Sequence, residues 1–252
     1  MKNFKAIKDE LVIFLRNYLQ ESGAKGFVLG LSGGLDSAVV AHLCAIAAPE
    51  RLNVLLLPSK NSSQQHLNDA LSVCKALNLT PNIVKIDPVL EGFKSAIDGE
   101  ISHLRLANLT ARTRMCLLYD ASASLSSLVV GTSNKSEIML GYGTIYGDLA
   151  CALNPIGDLF KTEIRELARE LGVSDDIIQK APSADLWAGQ SDEGELGYSY
   201  DELDHVLARI EAGASESELI AKFGRDLAIS VLARFNANKF KSKMPPVARI
   251  GG

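Results

Sequence analysis

The feature that most restricts the fold is a glycine-containing turn between an apolar strand and a helix-favouring segment. The apolar run 27–29 predicts a buried strand, and the segment 38–47, rich in Ala, Leu and Val, predicts a packed helix. Gly33 and Gly34 lie between them, where they allow the backbone to close around a ligand that side chains would exclude. Because the first N–H groups of a helix are unpaired and carry the positive end of its dipole, the turn predicts an anion site, for phosphate above all.

The residues of this turn distinguish it from the two common phosphate loops. It reads SGGLDS over residues 32–37, without the Gly-Lys-Ser/Thr ending of a Walker loop or the G-x-G-x-x-G spacing of a dinucleotide fingerprint. Asp36 would repel phosphate unless a divalent cation lay between them. The turn therefore predicts a Mg²⁺-bridged polyphosphate, with the hydroxyls of Ser32 and Ser37 as additional donors. The alternative is an ordinary Gly-Ser turn in which Asp36 caps the helix.

The turn resembles the SGGxDS pyrophosphate loop of the ATP pyrophosphatases, enzymes that cleave ATP between its α and β phosphates to give AMP and pyrophosphate. The pattern identifies a superfamily and leaves the second substrate open. The resemblance implies that ATP contacts the end of the strand and the loop, through Gly30, Leu31, Ser32, Gly33, Gly34, Leu35, Asp36 and Ser37.

Strand and helix patterns alternate along the first half of the chain. Further buried strands are predicted at 53–58, 82–86 and 127–131, with helices at 4–20, 63–77 and 101–125. Strands separated by helices of this length form a doubly wound, Rossmann-like parallel α/β sheet that binds ligands at the carboxyl ends of its strands. The resemblance narrows this to the adenine nucleotide alpha hydrolase-like fold. We expect one domain over residues 1–252, mainly helical from about 155.

Composition excludes several classes of function. The formal net charge of −4 and the pI of about 5.6 leave no basic surface for a nucleic-acid partner. The longest apolar stretch, 38–49, is too short to cross a membrane and no signal sequence is present, so we expect a cytoplasmic protein. The four cysteines are scattered and no histidine lies at metal-ligand spacing, which predicts buried thiols with neither a disulfide framework nor a zinc site.

Four further motifs follow the loop in order. They are ARTRM at 111–115, GTSNKSE at 131–137, FKTE at 160–163 and KAPSADL at 180–186. With the loop, they resemble NAD synthetase from about residue 4 to residue 246. The resemblance implies adenylation of the nicotinate carboxylate of deamido-NAD by ATP, release of pyrophosphate, and attack by ammonia to give NAD and AMP. It also implies a homodimer. We expect free ammonia as the nitrogen source, since 252 residues leave no room for a glutaminase domain; the alternative is a separate glutaminase subunit.

The resemblance also assigns roles to single residues. Asp36 and Glu137 are expected to share one Mg²⁺, and Lys161, with these two carboxylates, is expected to carry the catalysis. Matched to the family, the residues that contact ATP outside the loop are Thr132, Lys161 and Ser183, and those that contact deamido-NAD are Arg112 and Lys241. Without the family, these residues are consistent with helix caps, turn residues and solvated surface charges.

The remaining features are a segment that resembles a lid and three positions that differ from the family pattern. The segment 190–198 resembles the family's mobile loop, which would exclude water from the acyl-adenylate; its alternative is a solvated acidic loop. Phe240 stands where the family commonly has histidine. Ile145 and Ala152 stand where it has a lysine and an aspartate that are linked to deamido-NAD.

Two rival functions remain at this stage. One is another ATP pyrophosphatase, of the GMP-synthetase-like or tRNA-modifying kind; the acidic pI and the absence of paired cysteines count against tRNA thiolation. The other is a nucleotide-binding sensor without turnover, which would keep the phosphate loop but need neither Glu137 nor Lys161.

Overall fold

The computed structural model describes residues 2–183, 185, 187 and 189–250. A four-stranded parallel sheet has the order β3-β2-β1-β4. Its strands are β1 (Phe27–Gly30), β2 (Leu52–Leu56), β3 (Asn82–Ile83) and β4 (Leu128–Val129). β1 lies in the middle, with Phe27 opposite both Leu52 and Leu128. The prediction of a parallel α/β sheet is confirmed, although the third and fourth strands are shorter than predicted.

Helices cover both faces of the sheet. In chain order they are α1 (Phe4–Ser22), α2 (Leu35–Ala47), α3 (Gln64–Ala76), α4 (Asp87–Ala96), α5 (His103–Leu125), α6 (Lys135–Leu140), α7 (Lys161–Leu171), α8 (Asp175–Ile178), α9 (Asp192–Leu196), α10 (Tyr200–Glu211), α11 (Glu216–Phe223) and α12 (Arg225–Asn238), followed by a 3₁₀ turn at Lys239–Ser242. The sequence analysis did not predict α4, although its Asp-Pro start is a common way to begin a helix.

Side chains along the central strands alternate between two hydrophobic cores, one on each face of the sheet. Phe27 and Leu29 pack into the core beneath α1, α2, α3 and α7, whereas Val28 and Leu55 point to the core shared with α4 and α5. Side chains of a strand alternate between faces, so this pattern is what a sheet covered on both sides requires. Both cores hold the carboxyl ends of β1 and β4 in fixed positions.

A third core joins the helices that follow the sheet. Tyr200, Leu203 and Leu207 of α10 are fully or almost fully buried, together with Leu140 of α6 and Val231 of α12. This core sets α6 and α10 against the start of α7. None of these five side chains lines the cavity described below.

The remaining predictions on composition have mixed outcomes. None of the helices in the described part of the chain is long and apolar enough to cross a membrane. The four cysteines are free thiols. Cys44 and Cys74 are buried as expected, but the prediction is wrong for Cys116, which is exposed on α5.

Candidate active site

A cavity of about 630 Å³ lies at the carboxyl edge of the sheet, within the size range of small-molecule sites. The ends of β1, β2 and β4 form its floor, and the segments around α6, α7 and α9 form much of its wall. Most of the predicted site residues line it, namely Gly30, Leu31, Ser32, Gly34, Leu35, Asp36, Ser37, Thr132, Glu137, Lys161, Ser183 and Lys241. Gly33 and Arg112 are not among the lining residues.

The glycine turn has the backbone that the sequence predicts. Gly34 is the N-cap of α2, and Gly33 has a φ of +83°, which side chains rarely adopt. A Cβ on Gly33 would lie 2.0 Å from the carbonyl oxygen of His66, so α3 presses directly against the loop. Only glycine allows this close approach.

The two serines of the turn bond within the loop. The Ser37 hydroxyl donates to the carbonyl of Gly34 at 3.0 Å and accepts from the backbone N–H of Ser32 at 3.3 Å. The backbone N–H of Gly34 donates to Ser32 Oγ at 3.2 Å. These hydroxyls therefore brace the turn, and the prediction that they donate to phosphate stays a prediction.

Asp36, Glu137 and Lys161 meet beside this turn. Lys161 Nζ donates to Asp36 Oδ2, and it lies 3.4 Å from Glu137 Oε1. The Lys161 side chain is only 4% exposed, and the two carboxylates are 15% and 16% exposed. Residues 125 and 24 positions from Lys161 along the chain are thus brought to one point, while their catalytic role stays a prediction.

Asn134 holds both carboxylates, a role that the sequence analysis did not assign. Its side-chain Nδ2 donates to Asp36 Oδ1 at 3.0 Å, and its backbone N–H donates to Glu137 Oε2 at 3.3 Å. Each carboxylate therefore has one oxygen fixed by Asn134 and the other turned toward Lys161. The Asn-x-x-Glu spacing of a capping box was the signal that could have identified Asn134.

One lysine cannot neutralise both carboxylates of this cluster. Burial by itself lowers the pKa of Lys161, but the charges of Asp36 and Glu137 outweigh it and raise the pKa above its ordinary value. Burial and the charge of Asp36 raise the pKa of Glu137 to about 8 against the opposing effect of Lys161. Since Lys161 pairs most closely with Asp36, Glu137 is the carboxyl that stays mostly protonated at neutral pH while no further cation is near it.

A divalent cation beside the two carboxyls would favour the ionised form of Glu137. Mg²⁺ takes one or two carboxylates and completes its shell with waters and phosphate oxygens. In Asp36 and Glu137 two hard oxygen donors converge next to the phosphate loop. Among the described residues, no group of three or more His, Cys, Asp or Glu side chains is placed to hold a metal ion.

The segment predicted to be a lid contributes a buried acid. It forms the short helix α9, and Asp192 at its start is 4% exposed. Asp192 accepts hydrogen bonds from the hydroxyls of Tyr142, at 3.1 Å, and Tyr200, at 3.4 Å. Burial raises the pKa of Asp192, whereas the nearby Lys161 lowers it. The alternative of a wholly solvated acidic loop is wrong for Asp192.

The opposite wall joins α3 to the KAPSADL motif, of which Ala184 and Leu186 lie outside the described residues. Both oxygens of Asp185 accept from the backbone N–H of Ser63, and the backbone N–H of Asp185 donates to Ser183 Oγ at 3.1 Å. Lys180 pairs with Asp69 at 2.6 Å. Ser183 therefore faces the cavity from a loop that is tied to α3.

Of the two residues predicted to bind deamido-NAD, Lys241 lines the cavity and Arg112 does not. Lys241 Nζ donates to the carbonyls of Gly141 and Gly143 at 2.8 and 3.0 Å, at the cavity wall. Arg112 donates to the carbonyl of Ile145 at 3.3 Å.

The positions that depart from the family pattern do not line the cavity. Ala152 packs against the core beneath α1, and its carbonyl accepts from the Tyr18 hydroxyl at 3.3 Å. Ile145 is half-buried, and Phe240 is 59% exposed.

Known proteins with the same architecture identify the family. The family model described as NAD synthase matches residues 7–245. An NH(3)-dependent NAD(+) synthetase from Wolinella succinogenes is 52% identical over the whole of this chain and 98% of the relative.

Two solved structures cover nearly the whole chain as well. The NH3-dependent NAD synthetase of Campylobacter jejuni, determined with a nitrate ion, has a TM-score of 0.86 at 40% identity and covers 98% of this chain and all of that one. The NMN synthetase of Francisella tularensis has a TM-score of 0.89 at 33% identity and covers 99% of this chain and all of that one. Because the family model and these relatives each match nearly the whole of it, the chain belongs to the NAD synthase family.

Proposed function

We propose that this protein is an ammonia-dependent NAD synthetase that amidates deamido-NAD at the expense of ATP. The observation that carries the proposal is the convergence of Asp36, Glu137 and Lys161 beside the phosphate loop. A nucleotide-binding sensor would need the loop alone, whereas a buried lysine set between two carboxylates is an arrangement for charge that develops during a reaction. The chain's similarity to NH(3)-dependent enzymes over its whole length supports ammonia as the nitrogen source.

The reaction divides into two steps. A carboxylate oxygen of deamido-NAD attacks the α-phosphorus of ATP, and the bond to the β-phosphate oxygen breaks to release pyrophosphate. Ammonia then attacks the carbonyl carbon of the acyl-adenylate, AMP leaves, and one proton is lost to give the amide of NAD. The nitrogen lone pair forms the new bond, so the ammonia must be neutral when it attacks.

Asp36 and Glu137 would hold Mg²⁺, and Lys161, which bonds to the same carboxylates in this structure, would then be released toward the phosphates. When bound, the ion supplies positive charge to the phosphate oxygens of ATP and orients them. Lys161 is the residue that we assign to the departing pyrophosphate, since a compact ammonium stabilises charge that grows on an oxygen. The backbone N–H groups at the start of α2 would hold the same phosphates.

The remaining assignments follow the family. Thr132 and Ser183 face the cavity as ATP contacts, and Arg112 and Lys241 are assigned to deamido-NAD. Closing α9 over the site would keep water from the acyl-adenylate. We also propose a homodimer and a cytoplasmic location, as the resemblance implies; the mass of the purified protein by light scattering tests the dimer.

A second candidate substrate is the nicotinate mononucleotide, because the chain is also similar to an NMN synthetase. The uncharged Ile145 and Ala152, where the family pattern has a lysine and an aspartate, remove charged groups linked to the dinucleotide. Sequence identity favours the dinucleotide, since the relative that is 52% identical is an NAD synthetase. Comparing kcat/KM for the two acids decides between them.

The experiment incubates the protein with ATP, Mg²⁺, ammonium and deamido-NAD, and measures NAD, AMP and pyrophosphate. We expect the three products in equal amounts, and little NAD when glutamine replaces ammonium. ADP and phosphate as products would overturn the proposal, because cleavage would then occur at the wrong bond.

Two lysine variants sharpen this experiment. Lys161→Met should lower kcat by a factor on the order of 10² to 10³, the usual loss when a group that stabilises transition-state charge is removed. Lys135→Met is the matched control: Lys135 begins α6 close by, but it pairs with Asp158 and Glu211 and does not line the cavity. Equal losses in the two variants would place the chemistry elsewhere.

A further inference from the structure

A buried aspartate outside the cavity connects two of the helices that carry the site. Asp204 of α10 is 5% exposed and is not one of the cavity-lining residues. Its Oδ1 accepts from the Ser136 hydroxyl, and its Oδ2 accepts from both the backbone N–H and the hydroxyl of Thr162 at 2.9 Å. Within the described part of the chain, no lysine or arginine forms an ion pair with Asp204.

The partners of Asp204 are sequence neighbours of the candidate catalytic residues. Ser136 immediately precedes Glu137 in α6, and Thr162 immediately follows Lys161 in α7. The Ser136 hydroxyl that donates to Asp204 also accepts the backbone N–H of Lys161 at 2.9 Å. One carboxylate thus sets the start of α6 and the start of α7 relative to each other.

The start of α7 depends on these contacts because it has no side-chain cap of its own. Its N-cap residue is Phe160, whose ring cannot accept a hydrogen bond. The first two N–H groups of the helix, those of Lys161 and Thr162, are instead satisfied by Ser136 and Asp204. A buried N–H left without an acceptor is costly, so the first turn of α7 would move or fray without Asp204.

The electrostatics of Asp204 agree with this role. Burial raises the pKa of Asp204, and its hydrogen bonds from Ser136 and Thr162 oppose that rise. The positive end of the α7 dipole lies against the carboxylate and helps to keep it charged. The negative charge of Asp204 is therefore balanced by the start of α7, which Asp204 in turn holds in place.

We propose that Asp204 is a positioning residue, which places Lys161 and Glu137 for the reaction by capping α7 from another helix and binding Ser136 of α6. It touches neither substrate nor reacting atoms. The kinetic part of this proposal rests on the function proposed above, whereas the capping of α7 does not.

The test compares Asp204→Ala with Asp204→Asn. Alanine removes both carboxylate oxygens and with them three hydrogen bonds, so Lys161 loses its fixed place and kcat should fall by a factor on the order of 10² with little change in the KM for deamido-NAD. Asparagine keeps one oxygen for Thr162 and should recover kcat to within about threefold of the wild type. If kcat falls in Asp204→Ala at unchanged KM and Asp204→Asn does not recover it, the proposal is overturned.

A core variant separates positioning from a general loss of stability. Leu207 lies one turn along the same helix, is fully buried, and packs in the third core. Leu207→Ala should destabilise the fold by an amount typical of core truncations but leave kcat within about threefold of the wild type. If Leu207→Ala lowers kcat as much as Asp204→Ala does, Asp204 has only a structural role.

Hydrogen exchange of the Lys161 and Thr162 amides gives a readout that is independent of activity. Both amides should exchange faster in Asp204→Ala than in Leu207→Ala, whatever the reaction turns out to be. Unchanged protection of these amides in Asp204→Ala would overturn the proposal. If the wild-type protein makes no NAD but these amides exchange faster in Asp204→Ala, the capping of α7 is supported and only the proposed function is rejected.

Discussion

The close approach of α3 to the phosphate loop predicts that Gly33→Ala is costly for both the fold and ATP binding. Two effects add at this position. An L-residue in the left-handed region costs about 1 to 2 kcal/mol. The new Cβ would also lie 2.0 Å from the carbonyl oxygen of His66 and 3.0 Å from the backbone nitrogen of Ala70.

The second effect cannot be relieved by a side-chain rotation, because both contacts are with backbone. The start of α3 must retreat from the loop by more than an ångström, and overpacking of this kind costs about 1 to 3 kcal/mol. The total is about 2 to 5 kcal/mol, within the 5 to 15 kcal/mol that usually stabilises a domain. The variant should therefore fold, with lower stability and a displaced loop.

Gly172→Ala is the matched control. Gly172 caps the end of α7 with a φ of +76°, close to that of Gly33, and its Cβ would meet nothing within 4 Å. This variant has the conformational cost alone, so it should lose about 1 to 2 kcal/mol. The difference between the two variants isolates the clash with α3.

Urea denaturation gives the free energy of unfolding of each variant, and titration with ATP gives its affinity. We expect Gly33→Ala to lose about 1 to 3 kcal/mol more than Gly172→Ala and to bind ATP at least tenfold more weakly. Equal free energies of unfolding for the two variants would refute the close packing of the loop against α3. An unchanged ATP affinity in Gly33→Ala would refute the placement of phosphate in this turn.

Three more predictions concern charges. Asp36→Asn and Glu137→Gln should each lower kcat strongly. The double variant should lose less than the product of the single losses, because two carboxylates that share one ion act as a unit. Full activity of Glu137→Gln at saturating Mg²⁺ would place the metal elsewhere. Because Ile145 and Ala152 do not line the cavity, Ile145→Lys, alone or combined with Ala152→Asp, should leave the KM for deamido-NAD within about threefold of the wild type, and a rise that Ala152→Asp reverses would place a charged pair at the substrate. Burial lowers the pKa of His42 below 6.5, so the unfolded chain binds the proton more readily than the folded chain. The free energy of unfolding should therefore fall as the pH drops from 6.5 toward that lowered pKa, and His42→Gln should flatten this dependence when it is measured by urea titrations. An identical slope in the variant would assign the pH dependence to other groups.

The parts of the molecule that could be predicted from sequence are those that local chemistry determines. The turn at residues 32–37 follows from its glycines and from the apolar segments on either side of it. The start of α7 at Lys161 follows from the helical spacing of Ile164, Leu167 and Ala168, all of which are fully buried. In each case the signal lies within a few residues of the feature.

The parts that could not be predicted depend on residues far apart in the chain. Asn134 lies 98 residues from Asp36, and Asp204 lies 68 residues from Ser136. In the sequence, an asparagine before a helix and an aspartate within one have ordinary local explanations. Only packing of the third core against the sheet brings these residues to the two carboxylates and to α7.

The same packing explains why the lysine of the site is charged although it is buried. Removing an ammonium from water is unfavourable, and Lys161 is tolerated because Asp36 and Glu137 lie on either side of it. The two carboxylates in turn repel each other, with Asp192 adding to the negative charge. A further cation beside Glu137 would lower its raised pKa and favour its charged form. The arrangement that we propose for Mg²⁺ with ATP is therefore also the one that keeps Lys161 charged, and removing the charge at one of the three positions shifts the balance of charge that acts on the other two.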